Sequence, residues 1–190
     1  MKQTISYFLF AFLSTNIFAQ TTWKVDPAHT QVSFGITHMG ISEVEGLFPN
    51  FDGNIVASNK DFSDAQYNLT IEVPSIDTGV EMRDNHLKSA DFFDAEKYPK
   101  MTFKSTSSEK VSEGKYKVKG NLTFHGITQP VTLDVWYRGT VENPQNKDVI
   151  SGFAISGAVK RSDYKLGPNF PEAVLSDKVI IDVDGEFKKE

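Results

Sequence analysis

From Gln20 onward apolar and polar residues alternate with period two, and no other feature limits so strongly what this chain can become. A β-strand turns successive side chains to opposite faces, so such a run builds a sheet with one oily side and one wet side. The clearest stretch is 65–73, where Tyr67, Leu69, Ile71 and Val73 share one side and Gln66, Asn68, Thr70 and Glu72 the other. Equivalent sets are Val32, Phe34 and Ile36; Met101 and Phe103; Tyr116, Val118, Leu122 and Phe124; Val131, Leu133, Val135 and Tyr137; Phe153, Ile155 and Val159; and Val179, Ile181, Val183 and Phe187. With a further strand near 54–57 the count reaches about eight. Asp26-Pro27, Asp52-Gly53, Glu113-Gly114 and Asn143-Pro144 mark reversals between them, and short reversals make neighbours antiparallel. The expectation is an all-β, eight-stranded antiparallel fold that hides its oily side either in a sandwich or by closing into a barrel. Alternation alone barely separates the two; we take the barrel.

Two stretches break the pattern. Thr78-Gly79-Val80-Glu81 has the spacing of a capping box, so a short helical excursion is expected to run to about Lys88. Ser89 is a candidate cap for a second turn over 90–96, which must end before Pro99. The second stretch, 161–177, contains Gly167, Pro168 and Pro171 together with Phe170, Val174 and Leu175. It reads equally as ordinary surface packing or as a flap over a barrel mouth.

A barrel of this size is either filled by its own side chains or hollow enough for one ligand. Gly120, Gly157 and Gly185 fall in register with inward residues. They leave space inside, relieve curvature at barrel corners, or do both at once. If space is left, its lining is Phe34, Ile36, Leu69, Ile71, Val118, Gly120, Leu122, Leu133, Val135, Phe153, Ile155, Gly157, Ile181 and Val183, with Phe170 from the flap. Such a wall selects a long apolar guest, because transfer out of water contributes about 25 cal/mol per Å². Polar groups to orient a head group would come from the barrel ends, where His38, Arg83, Asp84, His86 and Arg161 are the candidates. The Arg83, Asp84 and His86 cluster has a structural reading as well, as a knot tying a helix to the rim.

Catalytic chemistry finds little support. The chain has no G-x-S-x-G, G-x-G-x-x-G, Walker loop or H-E-x-x-H, and its four histidines are scattered in sequence. No cofactor is expected. Cysteine is absent, which excludes disulfides and thiol chemistry.

Residues 1–19 carry Lys2 beside the amino terminus, continue as a short apolar run and end at Ala19. They read as an export signal rather than a membrane span, which needs about 20 apolar residues. The expected domain is therefore 20–190, periplasmic or secreted, with no membrane span in the mature form. Its formal charge becomes −6, one less than the −5 of the full chain, since Lys2 is removed. Nucleic acid is a poor partner for that charge. Trp136, expected on the outer wall, is where a homodimer could form.

The motifs themselves resemble the YceI-like family of exported lipid-binding proteins. The resemblance runs from Trp23-Lys24-Val25-Asp26-Pro27 and His38-Met39-Gly40 through Arg83-Asp84-Asn85-His86-Leu87-Lys88-Ser89 and Asp91-Phe92-Phe93-Asp94. It continues through Gly120-Asn121-Leu122-Thr123-Phe124-His125-Gly126 and Arg161-Ser162-Asp163 to Asp177-Lys178-Val179. It implies a lipocalin-like barrel enclosing a long isoprenoid or similar lipid, commonly as a dimer, with no catalytic set. Asn121 stands where the family usually has an acid, and Lys165 where it usually has glycine. The competing readings are a packed barrel serving stress response or partner interaction, and a metal-dependent enzyme.

Overall fold

The computed structural model describes residues 20–190, so the expected export signal lies outside the described residues. Ten strands form: β1 (Thr21–Val25), β2 (Gln31–His38), β3 (Ser42–Leu47), β4 (Phe51–Ala57), β5 (Gln66–Glu72), β6 (Lys100–Ser112), β7 (Lys115–Phe124), β8 (Ile127–Glu142), β9 (Val149–Lys160) and β10 (Leu175–Lys189). One α-helix, α1 (Glu81–Lys88), lies between β5 and β6. Every pairing is antiparallel, and the ring β1-β4-β5-β6-β7-β8-β9-β10 closes because β10 pairs back onto β1. The result is a closed barrel of eight strands, as the alternation implied.

The two extra strands come from one long strand serving two partners. β10 pairs β1 over its last residues, with Phe187 opposite Val25, and pairs β2 over Leu175 to Asp184. Between β1 and β2 the chain turns at Pro27–His29, where the Asp26 carboxylate accepts the Ala28 N–H at 3.1 Å. Gly185 makes room there, since a Cβ at that point would lie 2.7 Å from the Thr30 Cβ. β3 then flanks β2, and Leu47 exchanges backbone hydrogen bonds with Asp77.

Burial follows the period-two pattern. On β7, Tyr116, Val118, Leu122 and Phe124 are buried while Lys115, Lys117, Lys119 and Asn121 face water. Lys117 pairs with Asp134 at 2.6 Å, and Lys115 and Arg138 lie over the Trp136 ring. Those lysines thus belong to a solvated outer wall.

Helix α1 forms where expected, with a different cap. Val80 is its N-cap and makes no side-chain cap bond. Asp84 does the work instead, its Oδ1 accepting from the Thr78 N–H at 2.9 Å and the Thr78 hydroxyl at 2.5 Å. Spacing suggested Thr78 and Glu81, but the carboxylate one turn inward is the one facing the buried side. After the helix, 90–97 is a chain of turns, with the Ser89 hydroxyl accepting the Asp91 N–H at 3.3 Å as a cap at the start of that stretch.

Candidate functional site

The barrel has two unlike ends. At the end bearing the β4–β5 loop, Phe62 folds inward with a left-handed backbone, φ +60. Its ring meets Trp23 at 5.2 Å, Tyr137 at 4.7 Å and Phe153 at 5.0 Å, and Phe187 adds a further face to Phe153. The loop is fixed by the Asp64 carboxylate, which accepts from the Ser58 and Asn59 N–H groups, and by the Tyr116 hydroxyl, which donates to the Asp61 carbonyl. This aromatic plug closes the barrel. Phe153, expected to line the lumen, belongs to the plug instead.

One ion pair on the plug makes it acid-sensitive. Lys110 lies 2.8 Å from Asp61, and its hydrogen bond, helped by Ser63, holds the Asp61 carboxyl at about 2, below the ordinary 3.8. A carboxyl lowered on folding contributes stability that is fully present above 3.8 and is lost as pH falls through 2. The pair is half exposed, so the effect is small. Trp23 fluorescence is expected to change across that window in an acid titration, and Lys110→Met to move the change toward ordinary carboxyl pH. An unmoved titration would contradict this role for the pair.

Above the plug lies a cavity of about 440 Å³. Leu69, Val131, Ile155, Val159 and Ile181 point inward yet are only half buried, because their free surface faces this lumen. Phe34, Ile36, Ile71, Val118, Leu122, Leu133, Val135 and Val183 complete the hydrocarbon wall expected from the sequence. The structure does not bring Gly120 or Gly157 into that wall. A Cβ at Gly120 would lie 2.5 Å from the Phe103 ring, and one at Gly157 2.5 Å from Leu133 Cδ2. Neighbouring side chains already cover both glycines, so the hollow comes from the girth of eight strands carrying medium-sized aliphatic residues.

The other end is the mouth. Its rim is built by the β2–β3 hairpin, α1 and the segment from Arg161 to Leu175. His38, Arg83 and His86 all stand there, brought together from β2 and α1. Arg83 donates from Nε to the Thr78 hydroxyl at 2.7 Å and from Nη2 to the Thr78 carbonyl at 2.8 Å. Among the described residues no carboxylate forms an ion pair with it, so it offers a positive charge beside the oily opening. His86 packs edge-on against Phe92 at 5.0 Å, and Phe92 lies 5.2 Å from Phe170. His125, by contrast, is tied to the Tyr164 carbonyl at 2.8 Å.

Arg161 behaves differently from the expectation. It is 7% exposed, and its guanidinium donates to the carbonyls of Leu166, Gly167, Phe170, Leu175 and Ser176 at 2.5–3.2 Å. All five N–H groups of the fork are engaged. No N–H remains to hydrogen-bond a head group, so Arg161, although it lines the cavity, acts as the pin of the rim. The stretch 161–177 is accordingly an ordered half of the mouth. Gly167 approaches Phe92 so closely that a Cβ would fall 2.6 Å from its ring, and its φ of +55 suits glycine. Lys165, where the resemblance leads one to expect glycine, also has a left-handed φ of +59.

Sequence reasoning missed Phe92, Leu166 and Leu175 as cavity residues. Phe92 and Leu166 lie outside the strands and Leu175 opens β10 ahead of its register shift, and the one signal for Phe92 was an aromatic pair between two aspartates. Asp26, His29 and Glu186 also come together, but Lys188 lies 3.2 Å from Asp26 and competes electrostatically with a cation.

A closed antiparallel barrel, plugged at one end and hollow to the other, belongs to the architectural class of eight-stranded barrels whose interior has room for one small ligand. The sequence profile of the YceI-like domain matches residues 23–187. A UPF0312 protein of Staphylococcus aureus is 38% identical over 168 residues, 88% of this chain and 94% of that one. The crystal structure of the Campylobacter jejuni YCEI protein matches with a TM-score of 0.72 at 32% identity, over 81% of this chain and 90% of that one. A polyisoprenoid binding domain from Saccharophagus degradans shares the fold, with a TM-score of 0.64 at 17% identity over 89% and 98% of the two chains. The chain belongs to the YceI-like family.

Proposed function

We propose that this protein holds one long-chain lipid, an isoprenoid or another extended apolar chain, in the barrel lumen and serves as its carrier or store. The observation that carries the reading is the lumen itself, about 440 Å³ walled by hydrocarbon, with His38, Arg83 and His86 gathered only at the mouth. A chain inside gains from leaving water, and a polar head left at the rim keeps its hydration. The Saccharophagus degradans domain of the same fold is described as polyisoprenoid binding, which agrees in kind. The packed-barrel alternative loses its premise, since the interior is hollow. The same reading includes export on the strength of residues 1–19, and Trp136 on the outer wall as the place for a second copy.

Offering delipidated protein a panel of polyprenols, quinones and fatty acids tests the proposal. Uptake of at least one class at one molecule per barrel is expected. Refusal of the whole panel would overturn it.

A further inference from the structure

Beyond holding a guest, the barrel must meet whatever supplies it. The exposed large apolar side chains of the described residues are divided between the two ends and the wall, and the mouth holds the two most accessible, Ile41 and Met82. Ile41 is 87% exposed, Met82 81% and Met39 58%, and Val80, the N-cap of α1, 44%. Single exposed apolar residues need no explanation, but these come from two independent elements on one rim. Met39 and Ile41 form the tip of the β2–β3 hairpin, and the Met39 N–H donates to the Val174 carbonyl at 2.8 Å, which fastens the tip to a cavity-lining residue. Met82 lies on α1, the helix whose Arg83, His86 and Leu87 line the same mouth.

The hairpin turn adds a second observation. Met39 and Gly40 both have positive φ, +53 and +70. Glycine or asparagine suits such a turn, whereas methionine there is unfavourable. A large apolar side chain is therefore held partly in water, on the turn of the hairpin, against local backbone preference.

The occupant follows from what the rim adjoins. Phe170 and Val174 line the lumen, and the Met39 N–H bond to the Val174 carbonyl joins the hairpin tip to that lining. A guest leaving or entering a bilayer would otherwise cross water with its chain exposed. On α1 Glu81 and Asp84 offset Arg83 and Lys88, and the other rim elements add Glu43, Glu45, Asp163 and Glu172 against Lys165, so the rim has no excess of positive charge and attraction to an anionic surface is not the driving force. We propose that the mouth docks onto the surface of an electrically neutral lipid bilayer, with Met39, Ile41 and Met82 inserted among the head groups. This rests on reading the lumen as a lipid site, since the bilayer is then the guest's source or destination.

The test uses vesicles of pure phosphatidylcholine and the triple variant Met39→Glu, Ile41→Glu, Met82→Glu, none of which lines the lumen. The wild-type chain is expected to co-sediment with the vesicles and to do so equally at low and high salt, since buried apolar groups are not screened. The triple variant is expected to lose about ten-fold or more of that partition, while binding of farnesol, a short isoprenol offered without any membrane, stays unchanged. Val111→Glu with Val141→Glu, also exposed apolar residues but away from the mouth, is the control and is expected to change neither. Wild-type protein that ignores vesicles, or a triple variant that binds them equally well, would overturn the docking. So would a variant whose sole change is from dimer to monomer, which would mean that a second copy covers this rim. Vesicle binding by protein that takes up no farnesol or longer lipid would leave the docking standing and remove the carrier reading.

Discussion

Tryptophan at positions 69 and 155 is expected to cut lipid uptake sharply and leave the barrel folded. β5 and β9 are four strands apart in a ring of eight, so Leu69 and Ile155 face each other across the lumen. Both are only half buried, and both line the cavity. In a filled core, added bulk forces neighbours off their rotamers and costs about 1–3 kcal/mol. Here the two indoles would enter vacant volume and bury their own apolar surface, so Leu69→Trp with Ile155→Trp is expected to keep or raise the melting temperature. Uptake of polyprenol or fatty acid should fall by about ten-fold or more, since about 1.4 kcal/mol of lost apolar contact already gives that factor. A double variant that loses stability as a filled core would, yet still takes up lipid, would place the guest elsewhere.

The second large effect is expected from Arg161→Met. The buried guanidinium joins five carbonyls from 166 to 176 to the end of β9. Hydrogen bonds from a charged donor contribute about 1.5–3 kcal/mol each when the acceptors stay buried. Several of these carbonyls can turn to water once freed, so a loss of about 3 kcal/mol in urea unfolding is the expected result. The damage should be local in the native state, with faster amide exchange at Leu166, Gly167 and Phe170 and proteolysis within 165–174. Because these residues form half of the mouth, bound lipid should also leave faster. Arg161→Lys is expected to rescue little, since an ammonium lacks the planar fork that reaches several carbonyls at once. Unchanged exchange in this segment would show that other contacts hold the rim.

Much of this architecture was legible in the sequence because one-sided strands write their own inward face. Tyr67, Leu69 and Ile71 fall on the side that parity assigned, and so do Val179, Ile181 and Val183, although β10 carries a register shift between Leu175 and Val179. Two strands escaped. β1 places only Trp23 and Val25 inward, and β3 carries Glu43 and Glu45 with Gly46 at an inward position, so neither shows a run of apolar residues.

The lumen was harder to read than its walls. Parity cannot tell whether an inward glycine leaves a hole or a seat for its neighbour, and Phe103 and Leu133 take the seats at Gly120 and Gly157. Nor can it tell height along the axis. Phe153 shares a face with Ile155, but it lies at the plugged end and packs on Phe62 from a loop without periodicity. Arg161 was visible as a charged residue at a strand end, and only the folded path of 161–176 shows that its donors are all spent on backbone.

The most direct measurement is a crystal structure of the protein purified from its own cells without detergent. Continuous density for a single extended apolar chain is expected, running from the plug at Phe62 and Phe153 past Leu69 and Ile155, with its polar end between His38, Arg83 and His86. A lumen collapsed onto its own side chains, or holding only water, would contradict the central claim that this barrel is hollow in order to enclose a lipid.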